Sequence, residues 1–491
     1  MKEMKLKRPL KKAGIPVVLI CFLLHLSGFG QDTTGGNLYS LQRCVDLALK
    51  GNASVKAAEF TLRGDKAYLL GAIGNLIPNI NAYASRSIDN GKSINPYTNS
   101  YVNQSQTADN YQLSGSIVLW NGSSIFNYLR ENSLAYKAGK MDWQQAKDQA
   151  SIIVILDYLT VLNLQDQLTS ANSQAEVSGD QVVRLTDQNQ EGAINPSDLF
   201  NEKGQLASNE LLVITDQNSL QTAKINLCKD MNIPYDTAMR LEPVPASTLG
   251  PYAASVDDIF RYASQNLPMM KAAELHEESA QKGVKSARGQ LYPTISVSGG
   301  LSTNYSSAAT SAQLIGSTDQ PTSSYVLNNS SKEIVYSPQP SYNTLLIPYN
   351  SQFTNNFNSY VSLNLQIPIL RNLSGRVRVA QAKIAESQTY FNLTTTRNLL
   401  KEAIQQDYFN MTSAYESYKK LVDEVADYTE SFREATVKFN LGAITSVDYI
   451  TTQNFVNQAQ LNLISTKYTY ILYTKILDYY QGKLGISTTG P

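Results

Sequence analysis

The chain has 491 residues, with 41 basic and 41 acidic side chains and a formal net charge of zero. Only 17% of its residues are charged, which gives no support for nucleic-acid binding, since that needs a basic face. Its polarity is uncharged instead: Ser, Thr, Asn and Gln are abundant and there are 30 tyrosines, which suits a surface passing between water and a membrane interface.

Lys2, Lys5, Lys7, Arg8, Lys11 and Lys12 form a basic start, and Ile15 to Leu26 an apolar run of 12 residues. Gly28-Phe29-Gly30 then places small residues where a signal peptidase reads, so residues 1–30 are expected to be a cleaved secretory signal peptide. An uncleaved interfacial anchor is the other reading of this segment. Cys21 follows Ile20 in mid-run, which is not a lipidation context. Cleavage leaves 35 basic against 40 acidic residues, a net charge of −5. No later apolar stretch reaches the roughly 18 residues of a membrane-spanning helix. A chain of this kind that crosses a membrane must do so with strands.

The first repeat covers residues 31–232. Ser40 is a good N-cap for a helix running to about Ile77, which Pro78 ends by forcing extended geometry before it. Strand-like text follows. Ile80, Ala82 and Ala84 give one weakly apolar face, and Leu113, Ile117 and Leu119 alternate with Gln112, Ser114 and Ser116. Residues 89–110 between them are polar and turn-rich. From Ser123 to about Gln190 the apolar spacing becomes helical, with Ile152, Ile155, Leu156, Leu159 and Leu162. At 1.5 Å per residue such a helix is about 100 Å long, too long for an ordinary globular domain. Gly192 suits its C-terminus, Asn195 and Pro196 suit the start of a returning helix, and that helix runs to about Met231.

Residues 233–254, with Pro234, Pro243, Pro245 and Pro251, read as a linker. The second repeat, residues 255–485, then follows the same plan, and 486–491 are a tail. Ser255 and Pro293 bracket an opening helix at the spacing of Ser40 and Pro78, with Leu41, Ala48, Ala57 and Ala58 returning as Val256, Ala263, Ala272 and Ala273, an offset of 215. At an offset of 250, Ile117 returns as Ile367, Asp157-Tyr158 as Asp407-Tyr408, Gly192-Ala193-Ile194 as Gly442-Ala443-Ile444, and Asp198 as Asp448. The chain is thus two copies of one unit. The extra length lies between about Asn304 and Asn356, read as a long surface loop without periodicity of its own. Ile295, Val297 and Leu301 alternate with Ser296, Ser298 and Ser302, and Phe357, Val361, Leu363 and Leu365 with Asn358, Ser362, Asn364 and Gln366. The second long helix runs from about Gly375 to Asn440, and Ser446 is a plausible N-cap for its return to about Lys483.

Each alternating run is about ten residues, the length of a tilted strand crossing a bilayer, although a half-buried soluble sheet has the same pattern. Tyr97, Tyr101, Tyr325, Tyr336, Tyr342 and Tyr349 stand either at lipid headgroup level or in plain solvent. The opening and returning helices, laid end to end, match one long helix, so each copy is a rod with strands at one end and a glycine reversal at the other. Four strands cannot close a barrel, and open edges are not tolerated in lipid, so several chains must pool their strands. Cys44 and Cys228 are either a disulfide or two small buried side chains. His276 reads as a surface helix residue. No catalytic constellation, metal site or cofactor motif is visible.

The signal peptide, the duplicated helix–strand–strand–helix unit, the junction prolines Pro78, Pro293 and Pro368, and the twin G-A-x-x-x-x-D reversals at Gly192 and Gly442 resemble the TolC-type outer membrane efflux proteins. The resemblance covers residues 38–485. It implies a mixed α and β membrane protein with an internal two-fold repeat. Three chains, giving four strands each, form a 12-stranded transmembrane β-barrel, continued by a long α-helical barrel across the periplasm. It implies a homotrimer in outer-membrane lipid that works as a passive exit duct for efflux or type I secretion. The tip turns Gly192, Ala193, Ile194, Gly442, Ala443 and Ile444 would be the entrance, meeting a periplasmic adaptor (membrane fusion) protein and an inner-membrane transporter. Asp198 and Asp448 match the family's acidic entrance ring; a charge favoured by a helix N-terminus is the plainer reading of both. The second acidic ring position falls on Thr451, and the polar latch positions fall on Phe439 and Ile444, which cannot make such links. A non-channel periplasmic coiled-coil adaptor or scaffold is the alternative. A secreted hydrolase has only residues 304–356 in which to hide a site.

Overall fold

The computed structural model describes residues 38–94, 99–103, 105–244, 249–369 and 372–483. The expected signal peptide and the tail lie outside these residues, as does part of the linker. The first copy runs β1 (Leu38–Tyr39), α1 (Leu41–Gly51), α2 (Ala53–Gly74), β2 (Asn79–Asp89), β3 (Lys92–Ile94), β4 (Tyr101–Asn103), β5 (Gln106–Trp120), α3 (Ser124–Gln190) and α4 (Pro196–Met231). The short β6 (Arg240–Leu241) follows. The second copy runs α5 (Val256–Asn266), α6 (Pro268–Gly289), β7 (Thr294–Ser306), β8 (Thr310–Asn328), β9 (Ser331–Leu346), α7 (Tyr349–Asn355), β10 (Asn358–Gln366), α8 (Ser374–Asn440) and α9 (Ser446–Tyr480). The two long helices, α3 and α8, are 67 residues each.

The opening helices are not continuous, as the sequence reading had them. Asn52 adopts an extended ψ of 132° and caps a new helix by accepting from Ser54 N at 2.9 Å. Its Nδ2 donates to the Asp230 carbonyl at 2.9 Å, and Asn232 Nδ2 returns a bond to the Gly51 carbonyl at 3.0 Å, so the break docks onto the end of α4. The second copy breaks at Leu267, where Pro268 supplies the first residue of α6. Leu267 is the repeat partner of Asn52, so the kink is duplicated although its chemistry is not.

Two clusters form the core, both at mid-rod. In one, Cys44, Val45 and Ala48 of α1 meet Ile155, Tyr158 and Leu162 of α3, Leu227 and Met231 of α4, and Ile471 of α9. In the other, Ile259 and Ala263 of α5 meet Leu400, Ile404 and Met411 of α8 and Leu477 of α9. The described part of the linker is not loose. β6 pairs in parallel with β1, Met239 and Leu241 join the first cluster, and the Tyr158 hydroxyl donates to the Glu242 carbonyl at 2.7 Å. Cys44 and Cys228 are buried free thiols, and burial pushes Cys44 up to about 12. His276 is not solitary: its Nε2 lies 2.8 Å from Asp142 Oδ2 on α3, and that bond raises its pKa.

The sheet order is β10-β7-β5-β2, antiparallel throughout. Both internal offsets are exact in its registers: Ile80 faces Gly115 in the first copy, and Ile295 faces Leu365 in the second. Residues 304–356 are not a loop, as had been expected. β8 and β9 form a hairpin turned by Asn329 and Ser330, both at positive φ, the geometry of a type I′ turn. Residues 89–110 likewise hold the small β3–β4 hairpin. Pro321, Pro338 and Pro340 pair with Tyr336, Asp319 and Ser317. A proline cannot donate inside the ladder, so all three stand at non-bonded pairs, with the missing N–H on the outer edges of the hairpin.

Candidate functional site

The registers put Ile80 and Ala82 of β2, Leu113 and Ile117 of β5, Val297 and Leu301 of β7, and Val361, Leu363 and Leu365 of β10 on the same side of the sheet by parity. All of these are apolar, and they share one face because Leu113 faces Leu301, Ile117 faces Val297 and Val297 faces Leu363. Ser114, Ser116, Ser298, Ser362 and Asn364 fill the other face. No long helix packs on the apolar face. Ile80, Leu363 and Val361 are 68, 71 and 84% exposed. The edges β2 and β10 pair with no further strand among the described residues.

At the end of the sheet away from the rods, α7 lies across β7. Gln352 anchors it, accepting from Ser306 N at 2.8 Å and donating to Ser306 O at 2.9 Å. Tyr349 and Phe353 of α7 pack on Tyr305 and Tyr111, with ring centroids 4.9 and 5.9 Å apart. Tyr111 and Tyr305 share the parity of the apolar face, so the aromatic cluster bounds that face at its far end. Pro78 and Pro293 stand just before β2 and β7 at the other end, and Pro368 two residues after β10. Between strand and long helix the chain takes two successive left-handed residues, Gly122-Ser123 and Asn372-Leu373. Sequence reasoning missed this turn, because only one of the four residues is a glycine.

At the far end, Gly192 and Gly442 have φ of 71° and 69°, which an L side chain adopts only with strain. Ala193 N donates to Gln188 O and Ala443 N to Lys438 O, each at 2.8 Å, closing the same helix-ending motif in both tips. Asn195 caps α4, accepting from Ser197 N at 3.1 Å. In the second tip the cap is Thr445, not Ser446. Asp448 N donates to Thr445 Oγ1 at 3.2 Å while the Asp448 carboxylate accepts from Thr445 N at 3.2 Å, a complete capping box. Ser446 is instead buried and accepts from Asn201 Nδ2 of α4 at 3.2 Å.

Asp198 and Asp448 therefore stand in the first turns of two adjacent returning helices at the same end of the molecule. The carboxylate of Asp448 is exposed and engaged in its own cap; that of Asp198 is half-buried. Ile194 and Ile444 are half-buried beside the exposed Ala193 and Ala443. Phe439, at one latch position, stacks on Tyr449 at 4.9 Å, and Tyr449 meets Phe432 at 5.3 Å, so aromatic packing joins α8 to α9 there. Sequence reasoning missed Glu202, fully buried on α4 just above the first tip; a single glutamate on a helix carries no signal of burial. Among the described residues, no group of three His, Cys, Asp or Glu could hold a metal ion, and no helix is long and apolar enough to cross a membrane.

Residues 260–472 match the family model described as outer membrane efflux protein. No curated protein matches the chain in sequence. Among solved structures, that of the outer membrane protein VceC from Vibrio cholerae is 14% identical with a TM-score of 0.73, over 91% of this chain and 97% of its own. CusC, described in terms of folding and transmembrane channel formation, is 16% identical with a TM-score of 0.72, over 90% of this chain and 91% of its own. The open-state MtrE outer membrane channel of Neisseria gonorrhoeae is 14% identical with a TM-score of 0.64, over 92% and 91%. The sheet-and-rod architecture described above is the fold of these channels.

Proposed function

We propose that this chain, whose second repeat matches the outer membrane efflux family and whose fold is that of solved outer-membrane channels, is the exit duct of a tripartite efflux or type I secretion system. It sits in the outer membrane and extends into the periplasm. The observation that carries this is the bare apolar sheet face between two open edges. In water such a face and such edges are a liability; in lipid the face is solvated and closure removes the edges. Three chains supply twelve strands. The duct does no chemistry, and the energy comes from an inner-membrane transporter reached through a periplasmic adaptor. The tip turns at Gly192–Ile194 and Gly442–Ile444 are the adaptor contact, and Asp198 and Asp448 ring the entrance.

The internal repeat supports one particular join between copies. Inside the chain, β5 pairs with β7, with Gly115 facing Gly299. Shifting β5 forward by 250 and β7 back by 215 gives β10 against the β2 of the next copy, with Leu365 facing Ala84 and Leu363 facing Arg86. Directly opposed residues in an antiparallel pair are close enough for a disulfide. The double variant Ala84→Cys, Leu365→Cys is therefore expected to yield a reductant-sensitive covalent trimer from the outer-membrane fraction. The native thiols are buried and do not interfere. A soluble monomer that never cross-links would favour the periplasmic adaptor or scaffold and reject the duct.

A further inference from the structure

Glu202 lies on α4 close to the entrance and is 0% exposed, yet neither of its carboxylate oxygens has a hydrogen-bond partner of normal geometry. It is not alone in this. Gln181 Nε2 and Arg184 Nε on α3, and Gln453 Oε1 on α9, are also buried and unpartnered. Arg184 spends one guanidinium nitrogen on the Gln181 side-chain oxygen. Ser178 Oγ accepts from Asn209 Nδ2 at 2.9 Å, and its hydroxyl proton is the one neutral donor directed toward the Glu202 carboxyl. The charged and titratable groups facing Glu202 are Arg184 from α3 and Tyr449 from α9. Glu202 therefore sits where the first tip hairpin meets the second, in an interior that lacks a full set of partners for an ionised carboxylate. A buried charge without partners is costly, whereas a protonated carboxyl in the same place is tolerable.

The links between the two hairpins at this level are neutral. Asn201 Nδ2 donates to Ser446 Oγ at 3.2 Å, and Gln205 Nε2 to Asn454 Oδ1 at 3.3 Å. Such bonds contribute modestly against water, so the charge state of Glu202 outweighs them. The second copy has Thr452 at the repeat position of Glu202, so each chain carries one such carboxyl rather than two.

We propose that Glu202 is a proton-operated latch of the entrance: neutral, it seats α4 between α3 and α9, and ionised, it drives the two tip hairpins apart. This rests on the duct reading. Burial pushes Glu202 up to about 7, offset only in part by Ser178 and Arg184. Burial likewise pushes Tyr449 up to about 12, so it stays neutral throughout. The sign follows. An acid raised when packed favours the packed tips at low pH, and that preference is lost as pH rises from its ordinary value toward about 7.

The test uses the trimer in planar bilayers between pH 5 and 8. Wild-type conductance is expected to rise at least about tenfold, the change one pKa unit can drive. Glu202→Gln, a neutral isostere, should stay low at both ends. Spin labels at Ala193→Cys and Ala443→Cys should report tips that separate with pH in the parent and not in Glu202→Gln. Equal pH dependence in parent and variant, by either readout, would overturn the latch while leaving the duct intact. A protein that conducts at no pH, with tips that move all the same, would keep the latch and overturn the duct.

Discussion

The two long helices have the same length and the same place in their repeats, but not the same surroundings. α3 is packed by α1, α2, α4, α6 and α9, whereas α8 is packed by α5, α6 and α9. Three of these contacts correspond: α1 with α5, α2 with α6, and α4 with α9. What α8 lacks are the counterparts of the contacts that α3 makes with α6 and α9, and the repeat assigns those to α2 and α4 of a neighbouring copy. Leu159 of α3 is 3% exposed, and its repeat partner on α8, Phe409, is 66% exposed. The first long helix is covered from within the chain, and the second presents a face that its own chain leaves bare.

The largest effect is expected from placing a charge on the bare side of α8. Phe409→Asp is expected to abolish trimer formation while helix content by circular dichroism is unchanged. Burying a phenylalanine contributes about 2–3 kcal/mol per site, and a carboxylate there adds a desolvation cost. Native mass spectrometry of the detergent-solubilised protein measures it; a trimer that survives would mean that this face of α8 remains free. A smaller effect separates the tips. Thr445→Ala removes a capping box and Asn195→Ala a single cap bond, so each should cost about 1 kcal/mol in urea unfolding, with Thr445→Ala the larger. Equal losses would mean that Asp448 contributes nothing to its cap.

The smallest effect concerns the proposed ring of Asp198 and Asp448. Asn can still accept the cap bonds, so Asp448→Asn keeps the fold. It should lower the cation selectivity of single-channel current, and Asp198→Asn should do the same. Unchanged reversal potentials in both would leave only the helix-capping role.

Much of this was legible in the chain. The offsets of 215 and 250 return in the strand registers, and the alternation of residues 357–367 did mark a sheet with one apolar face. What was hidden has physical reasons. β8 and β9 see water on both faces, so nothing selects an alternating pattern, and their serines, threonines and prolines read as loop. The break at Pro268 has a local signal, a proline, that the reading of one helix from Ser255 to Pro293 passed over, whereas the break at Asn52 depends on a side chain that bonds to α4. Ser446 and Thr445 are equally good caps in sequence; the bond from Asn201 draws Ser446 inward and leaves Thr445 to cap. The cluster around Glu202 joins helices more than 240 residues apart and has no local signature.

The three prolines on the flanks of the β8–β9 ribbon bear on how it meets a second copy of itself. A ribbon of about 16 residue pairs projects roughly 50 Å, and ribbons of that length on adjacent molecules would otherwise zip flank to flank into a continuous mat. With donors missing at Pro321 on one flank and at Pro338 and Pro340 on the other, neither flank offers an unbroken row of donors to a second ribbon.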